Sequence, residues 1–284
     1  MNTHVTISFS VRRLAACIGL ALGGIFATTV ASASASSLIN DDFNDGTRTG
    51  WFNASSAGGL SASTGALVST SGSPTIIVYF SSTILAVGES LSLSFDFSAA
   101  GIVSTDVGFR FGLVSSSGTS KVAVDNFGSF DFDAYEGYRV STNLGSSAAS
   151  KTAIYKGSGT TTSLFGGSEW AAQIGGSTAG VNLTSGTTYQ VTFEIERTGE
   201  TSVAMSFSMN DVVISSSVDN AASNFTFDTL GFYKGTGAAT SLTFDNVSLV
   251  HSAIPEPANL TTLLGGLAVA ATLLTRRPRG RSAV

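Results

Sequence analysis

The sequence has few of the residues that most often carry catalysis or bind metals. Its 284 residues include one cysteine, Cys17, and two histidines, His4 and His251. None of the three lies between residues 36 and 250, where the chain has the pattern of a folded domain. The absence of cysteine and histidine from this range excludes disulfides, a thiolate nucleophile, Ser-His-Asp and Cys-His catalysis, and the usual zinc sites within it.

Positive charge is also scarce in this range. Residues 36–250 contain 8 Lys and Arg against 18 Asp and Glu, a net charge of −10, and the other six basic residues lie towards the two ends. Such an acidic domain is repelled by phosphate backbones, so we expect no nucleic-acid partner. A helical period is absent before the C-terminal tail.

What the range does contain is an alternation of apolar and polar residues, which is typical of half-buried antiparallel strands. Clusters of Gly, Ser, Asn and Asp separate the alternating segments, as turns require. Residues 145–180 have weak periodicity and are predicted to form long loops or edge strands. The pattern predicts an all-β fold, a two-sheet antiparallel β-sandwich of the jelly-roll type. The clearest alternating segments are LSLSFDF (91–97), VGFRFGL (107–113), VTFEIER (191–197) and VAMSFSM (203–209).

The first 35 residues have the features of a secretory signal peptide. Arg12 and Arg13 precede an apolar run over residues 14–30, and small residues follow with A-x-A cleavage sites that end at Ala33 or Ala35. We therefore predict a signal helix over 1–35, a β-sandwich domain over 36–250, and a linker with a C-terminal tail over 251–284.

Acidic residues at the two ends of the domain form the first candidate site. Asp41, Asp42 and Asp45 lie near its start, and Asp245 and Asn246 lie near its end. If the first and last strands are neighbours, these oxygens suit a hard cation such as Ca²⁺. The alternative is that they serve only as turn residues. A structural Ca²⁺ held by Asp41, Asp42, Asp245 and Asn246 is the one cofactor that the sequence suggests.

The segment FDFDAYEGY (130–138) forms the second candidate site. On a strand, Asp131 and Asp133 would share one face about 6.7 Å apart, with Tyr135 and Glu136 close by. Paired carboxylates at such spacing serve glycoside hydrolysis, but an acidic strand face is more often simply solvated.

Aromatic residues in predicted loops are a third group of candidate binding residues. Sugar-binding sandwiches place such rings against pyranose faces. Trp51 is expected in the core, whereas Trp170 lies in a polar loop and is the better binding candidate. We therefore predict a ligand-binding set of Trp170, Tyr135, Asp131 and Asp133, and no catalytic residue.

The tail IPEPANLTTLLGGLAVAATLLTRRPRGR (254–281) contains an uncharged and largely apolar stretch over residues 258–275. Residues 258–275 would form a helix of about 27 Å, just enough for a bilayer core. Arg276, Arg277 and Arg279 then provide a positive membrane stop. These arginines argue against the alternative, a buried terminal helix, so we predict a transmembrane helix.

Pro255-Glu256-Pro257, the apolar span and the arginine cluster, in this order at the C-terminus, resemble the PEP-CTERM sorting signal. The resemblance implies export across the inner membrane of a Gram-negative-type bacterium and recognition by an exosortase-type processing enzyme. It implies a transient inner-membrane intermediate, cleavage near Pro-Glu-Pro, and a destination at the cell surface or in the extracellular matrix. Proteins with this signal are associated with extracellular polysaccharide and biofilm.

The domain itself resembles concanavalin-like (laminin-G-like) jelly rolls, in its opening DDFNDGTRTGW…GALV and its closing FDNVSL. The acidic E-x-D-x-x-E strand of laminarinase-like members is absent. We therefore expect a non-enzymatic surface or matrix protein whose sandwich binds polysaccharide or is purely structural. The alternative is a secreted glycan-active enzyme that uses Asp131, Asp133 or Glu136.

Overall fold

The computed structural model describes residues 34–254 apart from residues 55–58, 64, 71, 73, 103–107, 128–129, 131, 144–150, 159–163, 166–169, 171, 180 and 236–238. These residues form strands and turns, without an α-helix among them. The strands are β1 Ser34–Asp41, β2 Trp51–Asn53, β3 Leu60–Ser61, β4 Leu67–Ser69, β5 Thr75–Ile84, β6 Ser90–Ala100, β7 Gly108–Ser115, β8 Glu136–Asn143, β9 Lys151–Ser158, β10 Ala172–Ala179, β11 Thr188–Arg197, β12 Val203–Met209, β13 Val212–Asp219, β14 Thr226–Lys234 and β15 Ser241–Ala253.

The strands form two antiparallel sheets. Sheet A has the order β13-β12-β11-β6-β15-β4-β3, and β1 pairs with β15 beside β4. Sheet B has the order β10-β9-β8-β7-β14-β5-β2. The prediction of a two-sheet antiparallel sandwich is therefore confirmed.

The inner faces of the sheets form one hydrophobic core, rich in phenylalanine. In β6, Leu91, Leu93, Phe95 and Phe97 point inward and are at most 1% exposed. The Phe95 ring packs edge-on against Phe111 of sheet B, with 5.3 Å between ring centroids. The alternation seen in the sequence is thus the alternation between core and surface, as the pleat of a strand requires.

β15 has thirteen residues and lies in the interior of sheet A. Along its length β15 pairs with β6 on one side, and on the other side with β4 and then β1. Ser34 at the start of β1 lies opposite Ala253 at the end of β15. The first and last strands are neighbours, and both leave the sandwich at the same end.

Two sequence predictions concern the region 145–180 and the helices at the two ends of the chain. The weakly periodic region 145–180 contains β9, which lies inside sheet B, and β10, which is an edge strand as expected. Residues 1–33 of the predicted signal helix and the predicted transmembrane helix lie outside the described residues, whereas Ser34 and Ala35, predicted as the end of the signal helix, begin β1. Within those residues, no helix is long and apolar enough to cross a membrane.

Candidate functional site

The outer face of sheet B is covered by two connecting segments of the chain. The β7–β8 segment contributes Val122, Phe132 and Tyr135, and the β9–β10 segment contributes Leu164, Phe165 and Trp170. They pack on Ile77 of β5 and Val114 of β7, and together form a second hydrophobic cluster outside the sandwich core. We call the covering residues of both segments the cap.

Glycines in the strands let the cap approach this closely. A Cβ at Gly231 of β14 would lie 2.6 Å from the Phe165 ring, and a Cβ at Gly157 of β9 would lie 2.8 Å from the Trp170 ring. Real Cβ atoms do not approach other heavy atoms so closely. Glycine inside a strand often marks such a close approach, and here it admits the aromatic rings of the cap.

Two arginines of sheet B hold the β9–β10 segment in place. Arg110 and Arg139 both donate hydrogen bonds to the Phe165 carbonyl oxygen, each at 2.5 Å. The Arg139 guanidinium also lies 5.0 Å from the centre of the Trp170 ring and 5.1 Å from that of Tyr155. These cation–π contacts stabilise the cap through electrostatic attraction to the ring faces.

A buried carboxylate anchors the β7–β8 segment. Asp228 of β14 is 5% exposed and accepts hydrogen bonds from the Ser116 backbone N–H, the Ser116 hydroxyl and the Thr229 hydroxyl. The Lys121 ammonium lies 3.1 Å from the same carboxylate. Burial raises the pKa of Asp228, but the hydrogen bonds from Ser116 and Thr229 and the contact with Lys121 outweigh it, so that the pKa lies below its ordinary value.

Two tyrosine hydroxyls continue this polar network. The Tyr79 and Tyr135 oxygens lie 3.1 Å apart, and the Val122 backbone N–H donates to the Tyr79 oxygen at 2.8 Å. Burial raises the pKa of both phenols, so both remain protonated at neutral pH. The two tyrosines therefore serve as neutral hydrogen-bonding groups that fix the path of the cap.

A pocket opens in the β7–β8 segment of the cap. It has a volume of about 330 Å³ and is lined by Thr119, Ser120, Phe130, Asp133 and Ala134. Thr119, Ser120 and Asp133 are exposed, whereas Phe130 is half-buried and packs against Phe132 with 4.9 Å between ring centroids. An aromatic ring, two hydroxyls and a carboxylate thus surround one cavity, which we call the cap pocket.

The structure places the described residues of the predicted ligand-binding set differently from the prediction. Asp131 lies outside the described residues. Asp133 lies in a turn closed by a hydrogen bond from the Tyr135 N–H to the Phe132 carbonyl, so the prediction that Asp133 shares a strand face was wrong. The prediction of an exposed Trp170 was also wrong, because the cap buries it to 1% exposure. Tyr135 is 0% exposed, and its hydroxyl is used within the cap.

Trp51 lies in the core, as predicted, at 2% exposure. Its indole N–H donates to the Asp41 carboxylate at 2.8 Å. The other oxygen of Asp41 accepts the Phe43 backbone N–H, and Asp42 accepts that of Asn44 in the same way. These contacts are turn chemistry, the alternative that the sequence left open.

The remaining residues of the predicted calcium site lie on β15. Asp245 faces Asp96 of β6 across the sheet, and the Asn246 side-chain amide donates to the Asp96 carboxylate at 2.7 Å. In the part of the chain that the structure describes, no three Asp, Glu, His or Cys side chains form a group that could hold a metal ion. The calcium site stays a prediction.

A second anchor, which no sequence pattern indicates, joins the cap to β2. Arg48 forms a double hydrogen bond with Asp125, and Asp125 also accepts the Asn53 backbone N–H at 2.9 Å. The hydrogen bond from Arg48 lowers the pKa of Asp125. The two residues are 77 positions apart, so no local pattern could have paired them.

The predicted sorting motif Pro255, Glu256 and Pro257 lies outside the described residues. The same holds for the predicted membrane stop at Arg276, Arg277 and Arg279.

No family model and no curated protein matches this sequence. Solved structures do match its fold. The carbohydrate recognition domain of Emp47p superposes with a TM-score of 0.54 at 13% identity, over 77% of this chain and 95% of that one. The carbohydrate recognition domain of Emp46p in its potassium-bound form gives 0.53 at 11% identity, over 77% and 97%. The endo-1,3-beta-glucanase from Streptomyces sioyaensis gives 0.51 at 16% identity, over 78% and 97%.

These similarities establish the jelly-roll fold. They also correct one prediction from the sequence, namely that the chain is not an enzyme. That prediction rested on the missing acidic strand of one enzyme group, but the glucanase shows that the fold is shared by glycan-active enzymes as well as by recognition domains. The chain has the two-sheet jelly-roll fold common to both classes.

Proposed function

We propose that the sandwich is a carbohydrate-binding or glycan-active module, and that it takes a neutral glycan in the cap pocket. The observation that carries this proposal is the half-buried Phe130 ring beside the Asp133 carboxylate and the Thr119 and Ser120 hydroxyls. An apolar ring face packs against the C–H face of a pyranose, and the polar groups around it bind sugar hydroxyls. The fold similarity to carbohydrate recognition domains and a glucanase supports the same class.

The neutral character of the glycan follows from charge. The domain has a net charge of −10, and the cap pocket itself carries a carboxylate. Both disfavour a polymer of uronic acids, whose own carboxylates would be repelled. A neutral glucan brings hydroxyl donors to Asp133 without this cost.

The binding proposal is tested by titrating the full-length protein with soluble neutral glucans and with polyuronates. We expect binding to a neutral glucan and a roughly tenfold weaker Kd in the Phe130→Ala variant, which corresponds to about 1.4 kcal/mol. Phe225→Ala is the matched control, because Phe225 is also half-buried but lies outside the cap. Equal loss in both variants, or binding to polyuronates only, would contradict the proposal.

The same samples distinguish recognition from turnover. Release of reducing sugar from a bound glucan, lost in Asp133→Asn, would assign a glycan-active enzyme with Asp133 in contact with substrate. Binding without release of sugar would assign a recognition module.

We further propose that the chain is exported and sorted through its tail. The signal-peptide pattern at 1–35, Pro255-Glu256-Pro257, the uncharged span 258–275 and the arginines after it support this proposal. An exosortase-type enzyme would act near Pro255, in the inner membrane, before the protein reaches the cell surface or matrix. Mass spectrometry of the released protein is expected to find a C-terminus near Pro255, and an intact Arg281 would contradict sorting.

A further inference from the structure

One end of the sandwich carries exposed apolar side chains at the place where the chain leaves it. Ile84 at the end of β5 is 68% exposed, Val87 in the following turn is 46% exposed, and Ile254 after β15 is 48% exposed. We call these three residues the exit surface.

The residues of the exit surface belong to one rigid structure. A Cβ at Gly88 would lie 2.5 Å from Ile254 Cδ1, so Ile254 packs directly on the turn between β5 and β6. Glu89 accepts the Ala86 backbone N–H and lies 3.2 Å from the His251 ring nitrogen, which ties the turn to β15. The Arg197 guanidinium donates to the Leu85 carbonyl at 2.9 Å. The turn is therefore held in place and its apolar side chains remain in water.

The length of chain beyond Ile254 limits what can cover this surface. Three residues separate Ile254 from Ala258, where the uncharged span begins. Four residue steps reach at most about 14 Å. The headgroup layer of a bilayer is only about 5–8 Å thick on each side of the hydrocarbon core. An inserted span therefore keeps Ile254 within about 6–9 Å of the membrane surface.

The other end of the chain imposes the same limit. The apolar run of the signal peptide ends at Val30, four residues before Ser34, which lies opposite Ala253 in the sheet. Before either end is cut, both membrane segments are thus attached to the same end of the sandwich.

We propose that the exit surface rests on the lipid bilayer while the C-terminal span is inserted. Transfer of apolar side chains such as Ile84 and Val87 from water to the interfacial region of the bilayer lowers the free energy. The short linker between Ile254 and the span keeps these side chains close to the membrane. The occupant is a lipid surface, not a second protein. The inference rests on the proposed transmembrane tail, and goes beyond it by assigning a membrane-facing surface to the folded domain.

The test uses full-length protein in vesicles of phosphatidylethanolamine and phosphatidylglycerol. Single cysteines replace Val87 or Val124 in a Cys17→Ser background and carry an environment-sensitive fluorophore. Val124 is the matched control, because it is 67% exposed but lies beside β2 and the start of β5, far along the strands from Ile84. Nitroxide lipids labelled at the headgroup quench fluorophores near the membrane surface.

We expect a blue-shifted emission at position 87 and several-fold stronger quenching there than at position 124. Equal quenching at both positions in protein that floats with the vesicles would overturn the inference and leave the tail proposal standing. Failure to float would overturn the tail proposal, and the inference with it.

Discussion

The two outer faces of the sandwich differ in their side chains and in how much of them is covered. The outer face of sheet A is open and carries mainly short polar and acidic side chains, such as Ser94 of β6 and Glu194 of β11, together with the exposed Val218 of β13. The outer face of sheet B carries arginines and aromatic rings beneath the cap. One sandwich thus has an open polar face on one sheet and a covered face, rich in arginines and aromatic rings, on the other.

The largest expected effect is the loss of a cap side chain. Trp170→Ala should lower the free energy of unfolding by about 3–5 kcal/mol, because it empties a buried volume above Gly157 and Arg139. Ser94→Ala on the open face should change it by no more than about 0.5 kcal/mol. Urea unfolding of both variants measures the contrast. Similar stabilities would show that the cap is not part of the cooperative structure.

A smaller effect is expected from the anchor of the cap. Asp228→Asn should cost about 1–3 kcal/mol, because it weakens the hydrogen bonds from Ser116 and removes the contact with the Lys121 charge. Glu194→Gln removes a carboxylate from the exposed face and should cost no more than about 0.5 kcal/mol. A cost in Glu194→Gln as large as that in Asp228→Asn would remove the distinction between the two faces.

The smallest effect concerns pH. The pKa of Asp228 is lower in the folded protein than in the unfolded chain, where it is about 4. The contribution of Asp228 to stability is therefore complete above the unfolded pKa and is lost as the pH falls through the folded pKa. Its share of the slope is at most about 1.4 kcal/mol per pH unit. Unfolding measured across acidic pH should give a shallower slope in Asp228→Asn, and an unchanged slope in Ser94→Ala. An unchanged slope in Asp228→Asn would contradict the assignment.

The contrast between the faces also explains what the sequence could predict. Sheet A alternates cleanly, as in Leu91, Leu93 and Phe95 between serines, because one face of its strands meets water. In sheet B the core buries the inner face and the cap covers the outer face, so that β14 is buried along most of its length. Alternation there no longer separates inside from outside. The fold could therefore be predicted, whereas the cap could not.

The sequence indicates Asp133 of the cap pocket but not the shape of the segment that carries it. Phe130 and Phe132 occupy alternate positions, as in a strand, but Phe132 and Tyr135 flank a turn and are buried in the cap. The polar loop around Trp170 predicts an exposed ring, whereas the cap buries it. The available signal was glycine at Gly157 and Gly231, inside strands, where a close approach from another segment is expected.

The position of β15 has a consequence for the order of folding. Among the described strands, β1, the first of the sandwich, pairs with β15, the last, and with no other, and β6 also has β15 as one of its two neighbours. A chain that crosses a membrane with its amino end first therefore cannot complete sheet A until almost its whole length has emerged. Such long-range pairing makes closure of the sheet late and slow. If the chain is exported as proposed above, sheet A closes only after β15 has crossed the membrane.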